Sequence, residues 1–220
     1  MQQDVNAAQP LPPLRQAQVA HTEQRILAAA TELFLADGYV ATTLDAVAKR
    51  AQVGARTVYL RFGTKAALFK RVVDVAIVGD AQPVPVHDRD WARPARTAPA
   101  ADERIAANAA ICRQIAERTG PLFAVAQQAA AIEPLIAGFW QQGREQSRQA
   151  QAEFWSGMAR DGLVDPAADL DWMIDTAAIA GAAETYLLIW RMLDWNLDTY
   201  ENWLVAILTM IAKASPSRTP

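Results

Sequence analysis

Arg56, Thr57, Tyr59 and Arg61 crowd polar and cationic side chains into six positions, and Val58 and Phe62, four apart, give the same stretch an apolar side. Residues four apart share a helical face, so a short helix from about Ala55 to Phe62 would bury the second pair and turn the first group outward. A guanidinium at Arg56, near the start of that helix, could fork onto guanine O6 and N7, worth about 1–3 kcal/mol of discrimination. The same group on a phosphate would add affinity without sequence preference. Such a face suits a DNA groove. Arg61 would contribute basic lining.

The elements that must hold this helix are legible around it. Thr43 can accept from a free backbone N–H and Asp45 places a negative charge in the positive first turn, so a helix opens here. Leu44, Val47, Ala48 and Ala51 form its apolar side, with Lys49 and Arg50 outside. Gln52 to Gly54 makes the turn, giving a helix-turn-helix. Before it, His21 to Asp37 carries Ile26, Leu27, Ala30, Leu33 and Phe34 at helical spacing, with Gly38 as the stop. After it, Thr64 caps a helix from Lys65 to about Val78.

The rest of the chain predicts an all-α fold. Met1 to about Ala20 reads as a mobile arm. The prolines at 83, 85, 94 and 99 make Ala81 to Ala101 a flexible loop. Helices are expected over Asp102–Thr119, Pro121–Ala131, Glu133–Asp161, Leu170–Trp195 and Asp198–Ala214, bounded near Gly120, Pro134, Gly162, Pro166 and Asn196. The expected organisation is an arm (1–20), a three-helix helix-turn-helix domain (21–68), a larger helical bundle (69–214) and a tail (215–220).

Composition narrows the function classes. The chain has 220 residues, 52% of them hydrophobic, enough for a sizeable core, and a net charge of −3. That total hides an asymmetry: residues 22–73 hold eight Lys/Arg against four Asp/Glu, and the remainder 13 against 20. A local basic face is all that phosphate binding needs, so the acidic balance does not exclude nucleic acid. One cysteine, Cys112, cannot form an internal disulfide. With no apolar run of about 18 residues and no signal peptide, a reducing cytoplasm and no membrane span are expected. His21 and His87 fall in the arm and the loop, and no metal-ligand spacing or phosphate-cradling glycine loop occurs. No catalytic residue, metal or cofactor is assigned.

With ILAAATELFLADGY, TTLDAVAKRAQV, TVYLRF and GTKAALF in this order, residues Thr22 to about Val73 resemble the TetR family of bacterial transcriptional repressors. The resemblance covers about a quarter of the chain. It implies that Tyr59 and Lys65 contact phosphate, Lys65 beside a helix N-terminus whose amides assist. Thr43 and Thr57 could also reach phosphate, although each has a structural reason for its place as cap or turn residue. Where the family commonly has Gly, Val, Ser, Lys, Gly, Thr, this chain has Gln52, Val53, Gly54, Ala55, Arg56, Thr57, and Leu60 and Arg61 replace a frequent His-Tyr pair.

The resemblance further implies a small-molecule effector pocket in the C-terminal bundle. Phe123, Trp140, Trp155 and Trp190 are candidates for its apolar lining, with Gln127, Arg144 and Glu184 for polar orientation. Most aromatics in a helical bundle serve the core, and Glu184 is either a pocket acid for a cationic ligand or a paired carboxylate. Ala177, Ala178, Ala180, Gly181, Ala182 and Ala183 leave room for close helix approach, so the last two helices would pair with those of a second copy. The implied function is a homodimeric repressor on a palindromic double-stranded DNA operator, released when an apolar or amphipathic ligand shifts the helix from Lys65. The alternatives are a dimeric DNA-binding regulator without effector, and a helical enzyme or scaffold.

Overall fold

The computed structural model describes residues 13–82 and 84–214, which form ten α-helices and no strand among the described residues. They are α1 (Pro13–Ala41), α2 (Leu44–Arg50), α3 (Ala55–Phe62), α4 (Lys65–Val78), α5 (Pro94–Thr97), α6 (Ala101–Ala130), α7 (Pro134–Arg160), α8 (Leu170–Ala180), α9 (Ala183–Leu193) and α10 (Leu197–Ala214). The all-α class expected from the apolar spacing is what the chain adopts. The caps follow the sequence: Thr43 Oγ1 accepts from the Ala46 N–H at 3.1 Å and Thr64 Oγ1 from that of Ala67 at 3.1 Å. Gly38, at φ 76°, ends the helical backbone of α1.

Two apolar clusters divide the molecule. In the first, Phe34 of α1 meets Phe69 of α4 edge-on at 4.8 Å, Tyr39 closes on Phe69 at 5.7 Å, and Val47 of α2 and Val58 of α3 are fully buried. Leu122 and Ala126 of α6 and Ile136 of α7 belong to the same cluster. The three N-terminal helices therefore share their core with the C-terminal bundle. The second cluster joins α5, the first half of α6, the end of α7 and α8 to α10 around Trp155, Met158, Met173, Tyr200 and Leu204. Central to both is α6, which touches α1, α4, α5, α7, α9 and α10.

Several expectations are corrected. The helix before the turn begins at Pro13, so residues 13–20 and His21 are helical rather than a mobile arm; a proline at a helix start lacks only an N–H that would go unused. Residues 1–12, the rest of that arm, and the 215–220 tail lie outside the described residues. The proline-rich stretch is not a loose connection. It makes short 3-10 turns at Val86–Asp88 and Asp90–Ala92 and then α5, with Ala92 and Ala95 buried. Arg89 fastens it by donating to both carboxylate oxygens of Asp80 at 2.7 and 2.9 Å and to the Val84 carbonyl at 3.0 Å. Prolines end long helices there without preventing packing, because arginines satisfy the freed carbonyls.

Gly120 and Pro121 do not separate two helices, for α6 runs through them. A proline inside a helix costs roughly 3 kcal/mol in isolation, here offset by packing of a helix that touches six others. Gly120 instead serves a close crossing: a Cβ there would stand 2.7 Å from Cε1 of Tyr186 on α9. Conversely, the expected helix over Leu170–Trp195 is two helices, broken at Gly181 and Ala182. Ala177 and Ala180 are buried in the second cluster and a Cβ on Gly181 would lie 3.6 Å from Cys112 Sγ. Ala177, Ala180 and Gly181 thus make room for this chain's own helices.

Candidate nucleic-acid interface

Val58 pins α3 to the core at zero exposure, and the side chains opposite it face solvent. Arg56 and Thr57 are exposed, Tyr59 is 47% exposed and Leu60 75%. Arg56 and Leu60, four apart, share a face on which Arg56 has no protein partner among the described residues. The Thr57 N–H donates to the Gly54 carbonyl at 2.9 Å, so the backbone of the turn is satisfied and the hydroxyl is left over. Thr43 uses its hydroxyl as a cap.

Two other cations expected on this surface are occupied. Arg61 donates through Nε and Nη2 to Glu23 of α1, and Arg71 of α4 donates to the other oxygen of Glu23 at 3.0 Å. Burial would raise the Glu23 carboxyl, but the hydrogen bonds from Arg61 and Arg71 outweigh it and hold it below its ordinary value. Arg61 therefore braces α3 against α1. Lys65 Nζ donates to the carbonyls of Tyr39 at 2.7 Å and Val40 at 3.1 Å, and lies 4.3 Å over the Tyr39 ring. Burial lowers its pKa, and the carboxylate of Glu133 partly opposes that. Lys65 ties the start of α4 to the end of α1, keeping one ammonium proton uncommitted.

The residues that sequence reasoning missed are mostly braces. Arg25 of α1 donates to the carbonyls of Ala51 at 2.5 Å and Gln52 at 3.0 Å, closing the end of α2. Glu133, the N-cap of α7, accepts from the Leu135 N–H at 3.3 Å and from the Tyr39 hydroxyl at 3.4 Å, linking the C-terminal bundle to the helix-turn-helix. Burial first, then this carboxylate, pushes the Tyr39 phenol up to about 12. Partners so far apart in the chain carry no local sequence signal.

Four of the seven residues proposed for an effector pocket come together between α6, α7 and α9, and a fifth, Gln127, links α6 to α9 through Arg191. Phe123 packs edge-on to Trp140 at 5.8 Å, Trp140 Nε1 donates to Glu184 Oε1 at 2.8 Å, and Arg144 Nε donates to the same oxygen at 2.6 Å. Gln127 accepts from Arg191 at 2.8 Å. Glu184 is thus the paired carboxylate of the two readings. Trp155 stands apart, fully buried beside Phe154 in the second cluster, and Trp190 is 40% exposed on α9. Burial pushes the Cys112 thiol up to about 11, which keeps it protonated and weakly nucleophilic at neutral pH. Among the described residues there is no group of three or more His, Cys, Asp or Glu able to hold a metal ion, and no helix long and apolar enough to cross a membrane.

Residues 26–72, which run from within α1 to within α4 and include Tyr39, Arg61, Lys65 and Arg71 but not Glu23, Arg25 or Glu133, match the family described as bacterial regulatory proteins, tetR family. This N-terminal segment is tetR-like in sequence. Solved structures share the fold. A putative TetR-family transcriptional regulator from Mesorhizobium loti is 16% identical with a TM-score of 0.65, the match covering 89% of this chain and 96% of that one. MexZ, described as a repressor responsible for antibiotic resistance in Pseudomonas aeruginosa, is 20% identical with a TM-score of 0.61, covering 87% and 94%. The flavonoid-responsive regulator FrrA is 25% identical with a TM-score of 0.57, covering 90% and 99%. No curated protein sequence matches the chain. The tetR-like helices α1 to α4 lie on one side of α6 and the rest of the helical bundle on the other.

Proposed function

We propose that this protein is a TetR-family regulator, a homodimeric repressor that reads a palindromic operator through α3 and leaves it when a small molecule binds. The reading rests on one observation above the others: Arg56 is exposed, without a protein partner among the described residues, on a helix anchored by a fully buried Val58. In this reading Arg56 contacts a base, Leu60 packs on a thymine methyl, and Tyr59 and Thr57 meet phosphate. Thr43 and the free proton of Lys65 add backbone contacts from the flanking helix starts, while Arg61 reaches phosphate only by leaving Glu23.

Dimerisation is supported by apolar exposure on the last helices, with Leu188 at 58%, Met192 at 72% and Met210 at 59%. A twofold axis beside α9 and α10 would present two copies of α3 to successive half-sites. Selection from a random duplex pool, repeated at higher salt, tests the reading. Enrichment of a palindrome is expected; salt-sensitive retention without any enriched sequence would overturn base reading by α3.

A regulator without effector is favoured by a separate observation. Glu184, the polar centre of the expected pocket, already accepts from Trp140 and Arg144. Loss of the selected duplex on adding a small-molecule library would decide against that second reading.

A further inference from the structure

We propose a binding site for a small amphipathic carboxylate in the notch between α1, α4 and Arg118 of α6. The notch is a solvent-open groove of about 390 Å³, within the size range of small-molecule sites. Its walls are mostly apolar, with Leu27 of α1 and Val72, Val75 and Ala76 of α4, while Gln24 and Thr31 of α1 and Arg118 of α6 add polar groups.

The Arg118 cation is unlike its neighbours. Arg71 is bonded to Glu23 and Arg89 to Asp80, so each has a carboxylate. Arg118 hydrogen-bonds only neutral acceptors, the Gln114 side chain at 3.2 Å and the Ile77 carbonyl at a long 3.4 Å, and feels the Asp80 carboxylate through space without a hydrogen bond to it. Its guanidinium lies 5.1 Å over the Trp91 ring. Asp80 also lines the notch, but both its oxygens accept from Arg89. Gly79, at φ 92°, lets the guanidinium sit where it does, for a Cβ there would fall 2.9 Å from Nη1. A guanidinium short of acceptors beside an apolar slot is complementary to a chain with a carboxylate head.

The site spans both halves of the protein. A ligand wedged between α1 and α4 while its head is held by α6 binds best to one relative setting of those helices, which gives it leverage over α3. That consequence rests on the proposed DNA function, whereas ligand binding itself does not.

The test is calorimetric titration of the full chain, free of DNA, with dodecanoate and with its methyl ester. Saturable binding is expected, with the carboxylate at least about tenfold tighter than the ester. Arg118→Gln should remove that preference and Ala76→Phe should weaken both ligands, while Trp172→Phe, partly exposed on α8, should change neither. Ala28→Phe, on the opposite wall, replaces Ala76→Phe if thermal melting finds the latter unfolded. Absence of saturable dodecanoate binding, or a preference that survives Arg118→Gln, would overturn the site. Dodecanoate is then added to a duplex selected by the protein. Binding of the fatty acid by a protein that selects no duplex would leave the site standing and overturn the regulator; duplex selection without fatty-acid binding would do the reverse.

Discussion

Arg56 on α3 stands exposed with no protein partner among the described residues, whereas Gln127, Trp140, Arg144 and Glu184 between α6, α7 and α9 are bonded to one another or to a neighbour. Both sets of side chains sit on helices and both are partly wet. They differ in whether their hydrogen-bonding capacity is spent inside the molecule. Spent capacity fixes helices relative to each other, and unspent capacity on a fixed helix is available to an outside partner. The same division runs through α3 itself, where Arg61 is held by Glu23 and Arg56, five residues earlier, is not.

That contrast needs α3 to be rigid, and the test with the largest effect removes the rigidity. Phe69→Ala, at the meeting of Phe34 and Tyr39, should cost about 3–5 kcal/mol of stability by chemical denaturation. Because Leu122 and Ile136 share that cluster, the loss should appear in one cooperative transition. A separate early transition confined to the N-terminal helices would break the comparison, since α3 would then rest on an independent unit. Next, Lys65→Met leaves the Tyr39 and Val40 carbonyls without their cation and should cost about 1–3 kcal/mol. For a chain of this length that is a fall in Tm of roughly 2–4 °C per kcal/mol.

Arg56→Ala is the complementary experiment. Stability should stay within about 0.5 kcal/mol, as for a surface side chain without a partner. Discrimination between the selected duplex and one altered at a single contacted base should fall by about 1–3 kcal/mol. Arg61→Ala should invert the pattern, lowering stability and leaving discrimination intact. If both arginines change discrimination equally, the division drawn on α3 is wrong.

Local regularities make the N-terminal third of the fold legible in the sequence. Caps at Thr43 and Thr64, the stop at Gly38 and apolar residues at three- and four-residue spacing act within one turn of the chain. What escapes lies in pairings across tens of residues. Glu133 to Tyr39, Arg25 to Ala51 and Glu23 to Arg61 are invisible to any window of sequence. The bundle misleads for a related reason. Gly120, Pro121 and Gly181 carry the same breaker chemistry, yet tertiary packing carries α6 through the first two and breaks the chain only at the third. The candidate effector residues are of types suited to a pocket, but whether Glu184 is open or already paired depends on Trp140 and Arg144, 44 and 40 residues away.

Acid separates the paired surface from the unpaired one with a smaller effect. Glu23 has a carboxyl held below its ordinary value in the folded protein, so its ion pairs contribute in full at neutral pH. The contribution persists as pH falls to the ordinary glutamate range and is lost as pH drops through the lowered value. Glu23→Gln should therefore flatten the acid limb of the stability curve, by up to about 1 kcal/mol for partly exposed pairs.

The smallest effect is expected at the α7–α9 clamp. Glu184 is about one-third exposed and Arg144 about half, so solvent screens their attraction, and Glu184→Gln should cost no more than about 1 kcal/mol. The amide would still accept from Trp140, keeping the indole satisfied. A larger loss would mean that the clamp bears on the packing of α9 over Gly120 through Tyr186, where there is no slack for a Cβ. Measuring Glu184→Gln with and without Gly120→Ala distinguishes these cases, because independent sites add within about 0.5 kcal/mol and coupled ones do not. Additivity would make the clamp a local surface link, leaving the fit of α9 to α6 set by Gly120 and Tyr186 alone.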